Sequence, residues 1–164
     1  MNNVILIGMP GCGKSTLGVL LAKSLGMTFL DTDLVIQDRE HALLSQLIRT
    51  HGSDGFLALE ESICAQLDVN NSVIATGGSV VYSQAGMEAL KRNGDVVYLA
   101  ATYAEVEKRV TNITTRGIVL KHGCSLQDAF AGRVPLYEQY SDYTVDGTGK
   151  SIEECVEEIV GLFR

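Results

Sequence analysis

Residues Gly8-Met9-Pro10-Gly11-Cys12-Gly13-Lys14-Ser15 match G-x-x-x-x-G-K-[ST] at every fixed position. They follow directly on the apolar run Val4-Ile5-Leu6-Ile7 and open a stretch of helical period, Lys14 to Leu25. Strand, glycine loop and helix in that order make the pattern a phosphate cradle rather than an ordinary turn. The glycines allow successive backbone N–H groups to point inward at phosphate oxygens. The helix that follows aims its positive end at the same anion. Lys14 is therefore expected to reach the β- and γ-phosphates of a nucleotide and the Ser15 hydroxyl to hold Mg²⁺. Gly11, Cys12, Gly13 and Thr16 complete the expected nucleotide-binding set, with Cys12 read as a small residue chosen for fit.

Such a loop needs a parallel sheet behind it, and the rest of the chain supplies the pattern. Short apolar runs at Val4–Ile7, Thr28–Leu30, Val73–Ala75, Val96–Leu99 and Tyr143–Val145 read as buried strands. Helical period fits Lys14–Leu25, a broken region from Leu34 to Leu67, Gln84–Arg92, Ala104–Val110, Leu126–Tyr140 and Ile152–Phe163. Strand alternating with helix predicts an α/β fold, a parallel sheet covered on both faces. With 164 residues and no linker or repeat, residues 1–164 read as one domain. Thr111 to Cys124 has no clear period, and a loop of that length is usually functional.

Phosphate loops also serve GTPases and motors. The base-reading N-K-x-D pattern of a GTPase is missing from the sequence, as is a long apolar strand ending in Asp of the motor type. A net charge of −7 argues against nucleic-acid or membrane-surface partners. Within this acidic chain, Lys108, Arg109, Arg116, Lys121 and Arg133 face a single acid, Asp128, over one stretch, which points to an anionic ligand. Cysteines 12, 64, 124 and 155 have neither CxxC spacing nor zinc-like pairing with the three histidines, and the apolar run at Val4 is too short for a signal or membrane span. A reducing, cytoplasmic setting is expected. That leaves a nucleoside or metabolite kinase.

Two further motifs follow strands. Asp31-Thr32-Asp33 puts two carboxylates at a strand end, one for metal and one for a substrate hydroxyl, or else caps the helix beginning near Leu34. Thr76-Gly77-Gly78-Ser79 follows the third strand, where glycines let a ligand approach backbone N–H groups. Ligands of doubly wound sheets bind beyond the carboxyl ends of the strands, where all three motifs fall.

In the order of these features the chain resembles the shikimate kinase family. The phosphate loop at 8–15, Asp31-x-Asp33, Phe56 with Glu60, Gly77-Gly78, Arg116 and Arg133-Val134-Pro135-Leu136-Tyr137 carry the resemblance over essentially its whole length. It implies a three-layer fold on a five-stranded parallel sheet, with substrate-binding helices at about 33–68 and a lid at about 111–124. It implies that Asp33 orients or deprotonates the attacking hydroxyl and that Asp31 joins Ser15 on Mg²⁺. Arg133 and the backbone at Gly78 would hold a substrate carboxylate, with Leu57, Glu60, Gly77 and Ser79 in the same substrate site. Arg116 would reach the phosphates from the lid, and Arg109 and Lys150 would border the adenine.

The chain departs from the family at two positions. F-R-x-x-E appears as Phe56-Leu57-Ala58-Leu59-Glu60, and three glycines appear as Gly77-Gly78-Ser79. The lid motif R-P-L-L is Arg116-Gly117-Ile118-Val119. Loss of the Leu57-position arginine removes one charge-assisted contact, worth about 1.5–3 kcal/mol. The expected reaction is ATP- and Mg²⁺-dependent phosphorylation of shikimate to shikimate 3-phosphate by a monomer, with Lys14, Asp33 and Arg116 catalytic. The alternatives are a kinase for another small hydroxylated metabolite and a non-catalytic nucleotide-binding regulator.

Overall fold

The computed structural model describes residues 2–111, 118–120 and 123–164. Strands β1 (Asn3–Ile7), β2 (Thr28–Asp31), β3 (Ser72–Ala75), β4 (Gly94–Ala100) and β5 (Tyr143–Asp146) form one sheet in the order β2-β3-β1-β4-β5. Every pairing is parallel. The helices are α1 (Lys14–Leu25), α2 (Thr32–Glu40), α3 (Leu44–Gln66), α4 (Gln84–Lys91), α5 (Tyr103–Thr111), α6 (Leu126–Tyr140) and α7 (Ile152–Phe163).

β1 is buried along its whole length, and its alternation divides the core between two faces. Val4 and Leu6 pack with Leu17 and Leu21 of α1 and with Val156 and Ile159 of α7. Ile5 and Ile7 pack on the other face with Met87 and Leu90 of α4, Val106 of α5 and Tyr137 of α6. This accounts for the unbroken apolar runs of the central strands, which are covered on both sides. A third cluster sits beyond the sheet edge and joins Ile36 of α2, Leu44, Leu47, Phe56 and Ile63 of α3, and Val119.

The helical region after β2 breaks twice. His41 ends α2 in the left-handed region at φ 51°, and Gly52 kinks α3 with φ 70° and ψ 178°. Register then aligns the ligand-bearing ends: Leu6 of β1 pairs Ala75 of β3, which pairs Asp31 of β2. Thr76 continues the alignment, its Oγ1 donating to the Leu6 carbonyl at 2.8 Å. The phosphate loop, Asp31 and the Gly77-Gly78 turn therefore open on one side of the sheet. β4 runs two residues further back and one further on than its apolar run, because Gly94 pairs with Asn3 and Ala100 with Asp146. Val80–Tyr82, which has no assignment from sequence, is a single 3-10 turn. No helix among the described residues is long and apolar enough to cross a membrane.

Candidate functional site

Gly11 and Gly13 hold the phosphate loop open at φ 79° and 94°, conformations that side chains resist. Inside the loop the Lys14 ammonium donates to the carbonyls of Gly8 (2.8 Å) and Met9 (2.9 Å) and lies 3.7 Å from Cys12 Sγ. These contacts fix a buried cation at the centre of the cradle. Ser15 Oγ donates to Asp31 Oδ2 at 2.6 Å, and Asp31 Oδ1 accepts from the Asp33 amide at 2.9 Å. Asp31 thus caps α2 and also faces the loop, so the two sequence readings of the Asp pair describe one residue doing both. Thr16 follows, exposed, in the first turn of α1.

The donor set at Ser15 and Asp31 fits Mg²⁺. Among the described residues no three Asp, Glu, His or Cys side chains form a metal cage. A hydroxyl and one carboxylate beside a phosphate cradle is the sparse protein shell that Mg²⁺ takes when phosphate supplies other ligands.

A hollow adjoins the cradle and is lined by Lys14, Asp33, Glu60, Gly77, Ser79 and Arg133, with Phe56 and Val119 among its apolar walls. Arg133 is 2% exposed. Its guanidinium donates to the Val119 carbonyl and to Tyr82 Oη (3.4 Å), and stacks 5.3 Å from the Tyr82 ring centre. The ion pairs among the described residues are Lys91–Asp142 and Lys150–Glu158, so Arg133 is a buried cation with no ion-pair partner among them. Charges are rarely buried without an opposite charge, and here the open side of the guanidinium faces the hollow.

Gly78 packs against this cation: a Cβ there would lie 3.2 Å from Arg133 Nη1 and 2.7 Å from Pro10 Cδ. Its carbonyl accepts from Tyr137 Oη at 2.5 Å. Tyr137 is fully buried, stacks on Tyr98 with ring centres 5.1 Å apart, and stands one turn from Arg133 on α6. The i, i+4 spacing thus gives one helix both the cation and the clamp on the glycine backbone.

Opposite lies Glu60, also wholly buried. Ser79 Oγ donates to its Oε1 at 2.9 Å, while Oε2 has no hydrogen-bond partner among the described residues. Burial pushes the Glu60 carboxyl up from 4.5 to about 7; the Ser79 bond pulls back, and the Asp33 charge adds to the rise.

A second hollow opens on the other side of the phosphate loop, where Cys12, Gly13, Arg109, Gly147 and Lys150 meet. Arg109 Nη1 donates to the Gly11 carbonyl at 3.1 Å, and Lys150 pairs with Glu158 at 2.6 Å. Both cations expected beside a nucleotide base therefore border the same recess.

The family model described as Shikimate kinase matches residues 10–163. The chain belongs to the shikimate kinase family. A shikimate kinase from Clostridium botulinum strain Eklund 17B is 36% identical over 161 residues, covering 96% of this chain and 94% of that protein. One from Vibrio vulnificus is 35% identical over 165 residues, covering 99% and 96%. The structure of a shikimate kinase from Acinetobacter baumannii in complex with shikimate superposes with a TM-score of 0.91 at 29% identity, covering 99% of this chain and 93% of that one.

Measured against the shikimate kinase family pattern, the expected site residues separate into three groups. Lys14, Asp33, Glu60, Gly77, Gly78, Ser79 and Arg133 converge on one hollow. Leu57 is half-buried and lines a neighbouring hollow with Tyr82, Asp128, Ala129 and Arg133. Arg133 and Val119 line both hollows, and Leu57 lines only the second. Arg116 and most of the expected lid lie outside the described residues; of that segment, Ile118 and Val119 line the main hollow. Sequence reasoning gave no role to Tyr137 or Tyr82. Tyr137 could have been found from its place one turn after Arg133, but nothing local marks Tyr82.

Proposed function

We propose that the protein transfers the γ-phosphoryl group of ATP to the 3-hydroxyl of shikimate, giving shikimate 3-phosphate and ADP for aromatic amino-acid biosynthesis. The observation that carries this reading is Arg133, a buried cation with no ion-pair partner among the described residues, lining a hollow that also holds Asp33 and opens on the phosphate loop. A small hydroxy acid satisfies both ends of such a hollow, its carboxylate on Arg133 and the Gly78 amide and its hydroxyl on Asp33.

In this mechanism the loop amides and Lys14 hold the β- and γ-phosphates. Ser15 and Asp31 would hold Mg²⁺, which offsets charge on the phosphate oxygens when bound. Asp33 aligns the acceptor hydroxyl and takes its proton. The hydroxyl oxygen forms its bond to the γ-phosphorus as the bond to the β,γ-bridging oxygen breaks, and ADP departs. Lys14 stabilises charge that develops on the transferring group, and Arg116 adds to it from the segment at 111–124, which the reading treats as a lid. Arg109 and Lys150 flank the adenine. The enzyme acts as a monomer in a reducing cytoplasm, a setting that its free Cys12, Cys64, Cys124 and Cys155 suit.

ADP release measured against shikimate beside neutral polyols and amino alcohols tests the reading. Shikimate should be the preferred acceptor, and Arg133→Ala should raise its KM by at least about tenfold. Turnover on a neutral polyol with none on shikimate would overturn the substrate and leave the kinase.

A further inference from the structure

Glu60 is a buried titratable group of the hollow to which the transfer steps above assign no role. It is wholly buried, and one oxygen is engaged by Ser79 Oγ at 2.9 Å. The other, Oε2, has no hydrogen-bond partner among the described residues. That oxygen lies against Gly77 in the lining of the hollow: a Cβ on Gly77 would lie 2.5 Å from it and 2.9 Å from Asp33 Oδ1. Two carboxyl groups thus converge on one glycine at the wall of the hollow. Residue 57, three before Glu60 on α3, is a leucine and brings no cation to it.

We propose that Glu60 works as a neutral carboxylic acid, oriented by Ser79 so that its Oε2–H is donated to the ligand, and that an anionic hydroxy acid binds with uptake of a proton at Glu60. The inference rests on the reading of this hollow as a shikimate site.

Burial favours the neutral form most, and the Asp33 charge adds to it, while the Ser79 bond and the Arg133 and Lys14 charges oppose it. An entering carboxylate tips the balance further toward the neutral acid. Among the described residues, the charged groups acting on Glu60 from the packed elements are Lys14 on α1, Asp33 on α2 and Arg133 on α6. With Glu60 neutral they sum to one positive charge, which an entering carboxylate cancels. With Glu60 ionised they sum to zero, and the same carboxylate leaves the buried hollow net negative. On α3 itself Cys64 is pushed up to about 12 by burial and stays neutral. A protonated carboxyl has one O–H to donate, and an enclosed site can hold an acid neutral for that purpose. Ser79 is then a positioning residue: it donates to Oε1 and leaves the proton on the oxygen that faces the ligand. With the Glu60 carboxyl at about 7, the switch falls within the physiological range.

Calorimetric titration of shikimate into the full-length protein, without nucleotide, tests this. Run in two buffers of different ionisation enthalpy at about pH 7 and above, it should report proton uptake. The Kd should rise about tenfold between about pH 6 and pH 8. Glu60→Gln keeps a neutral hydrogen-bonding group and should reduce that change to about twofold or less. Ser79→Ala removes a bond that favours the ionised form, so the midpoint of the pH dependence should move upward, an effect that mere loosening of the site would not produce. Thermal melts of each variant identify any that fail to fold, and the wild-type profile decides the matter alone if both do. Shikimate that binds without proton uptake, with equal Kd at both pH values, overturns the inference and leaves the kinase reading standing. Binding with uptake but no phosphorylation supports the inference and overturns the kinase reading; no binding at either pH overturns both.

Discussion

Lys14 and Leu57 mark the two extremes of what a single residue says in this chain. Lys14 is read from a complete motif, and it lies buried at the centre of the loop, held by two carbonyls. Lys14→Ala should cut turnover by about a hundredfold or more, the scale of a lone electrostatic stabiliser, as measured by initial rates at saturating ATP. Near-wild-type turnover would remove the loop from the mechanism. Leu57 departs from a charged family position, and its side chain lines a hollow next to the main one together with Arg133 and Asp128. Leu57→Arg should lower the KM for shikimate by up to about tenfold, since a guanidinium grips a carboxylate through paired bonds and Asp128 is near to offset its charge. A raised KM would mean that a second cation beside Arg133 repels rather than assists. The contact between Ser79 and Glu60 was not legible in the sequence, because nothing local pairs side chains 19 positions apart.

At the scale of elements, most of the fold was legible. Central strands buried on both faces have to be continuous apolar runs, and β1, β3 and β4 are. The kink at Gly52 within α3 and the 3-10 turn at Val80–Tyr82 were harder, since each answers to tertiary packing rather than to period. Helix α6 was placed correctly from sequence, but only the structure explains its motif. Arg133 and Tyr137 project one turn apart, and Tyr137 Oη holds the Gly78 carbonyl at 2.5 Å across 59 residues. Tyr137→Phe leaves that carbonyl without its donor. It should cost about 1–3 kcal/mol in urea unfolding and raise the KM for shikimate more than it lowers kcat, because Gly78 loses its aim. Unchanged stability and KM together would reduce Tyr137 to core filling.

Across the whole molecule, the sheet gathers the cradle, the Asp pair and the glycine turn at one edge, and the interior stores an unusual carboxyl there. Glu60 titrates at about 7 in the folded protein and near 4.5 when unfolded. Between those values the native state binds the extra proton, so stability falls as pH rises from about 4.5 to about 7 and levels off above. The group's share of that fall is about 3 kcal/mol. Denaturant unfolding across this window should show the decline in the wild type, and Glu60→Gln should flatten it. A wild-type curve unaffected by the substitution would mean that Glu60 ionises normally.

The central claim, that this hollow and this loop together phosphorylate shikimate, is tested most directly by ³¹P NMR of the protein with ATP, Mg²⁺ and shikimate. The γ-phosphate resonance should fall as a phosphomonoester signal and ADP grow in equal amounts, with Asp33→Asn suppressing both. ATP hydrolysed only to inorganic phosphate, or left intact in the presence of shikimate, would contradict it.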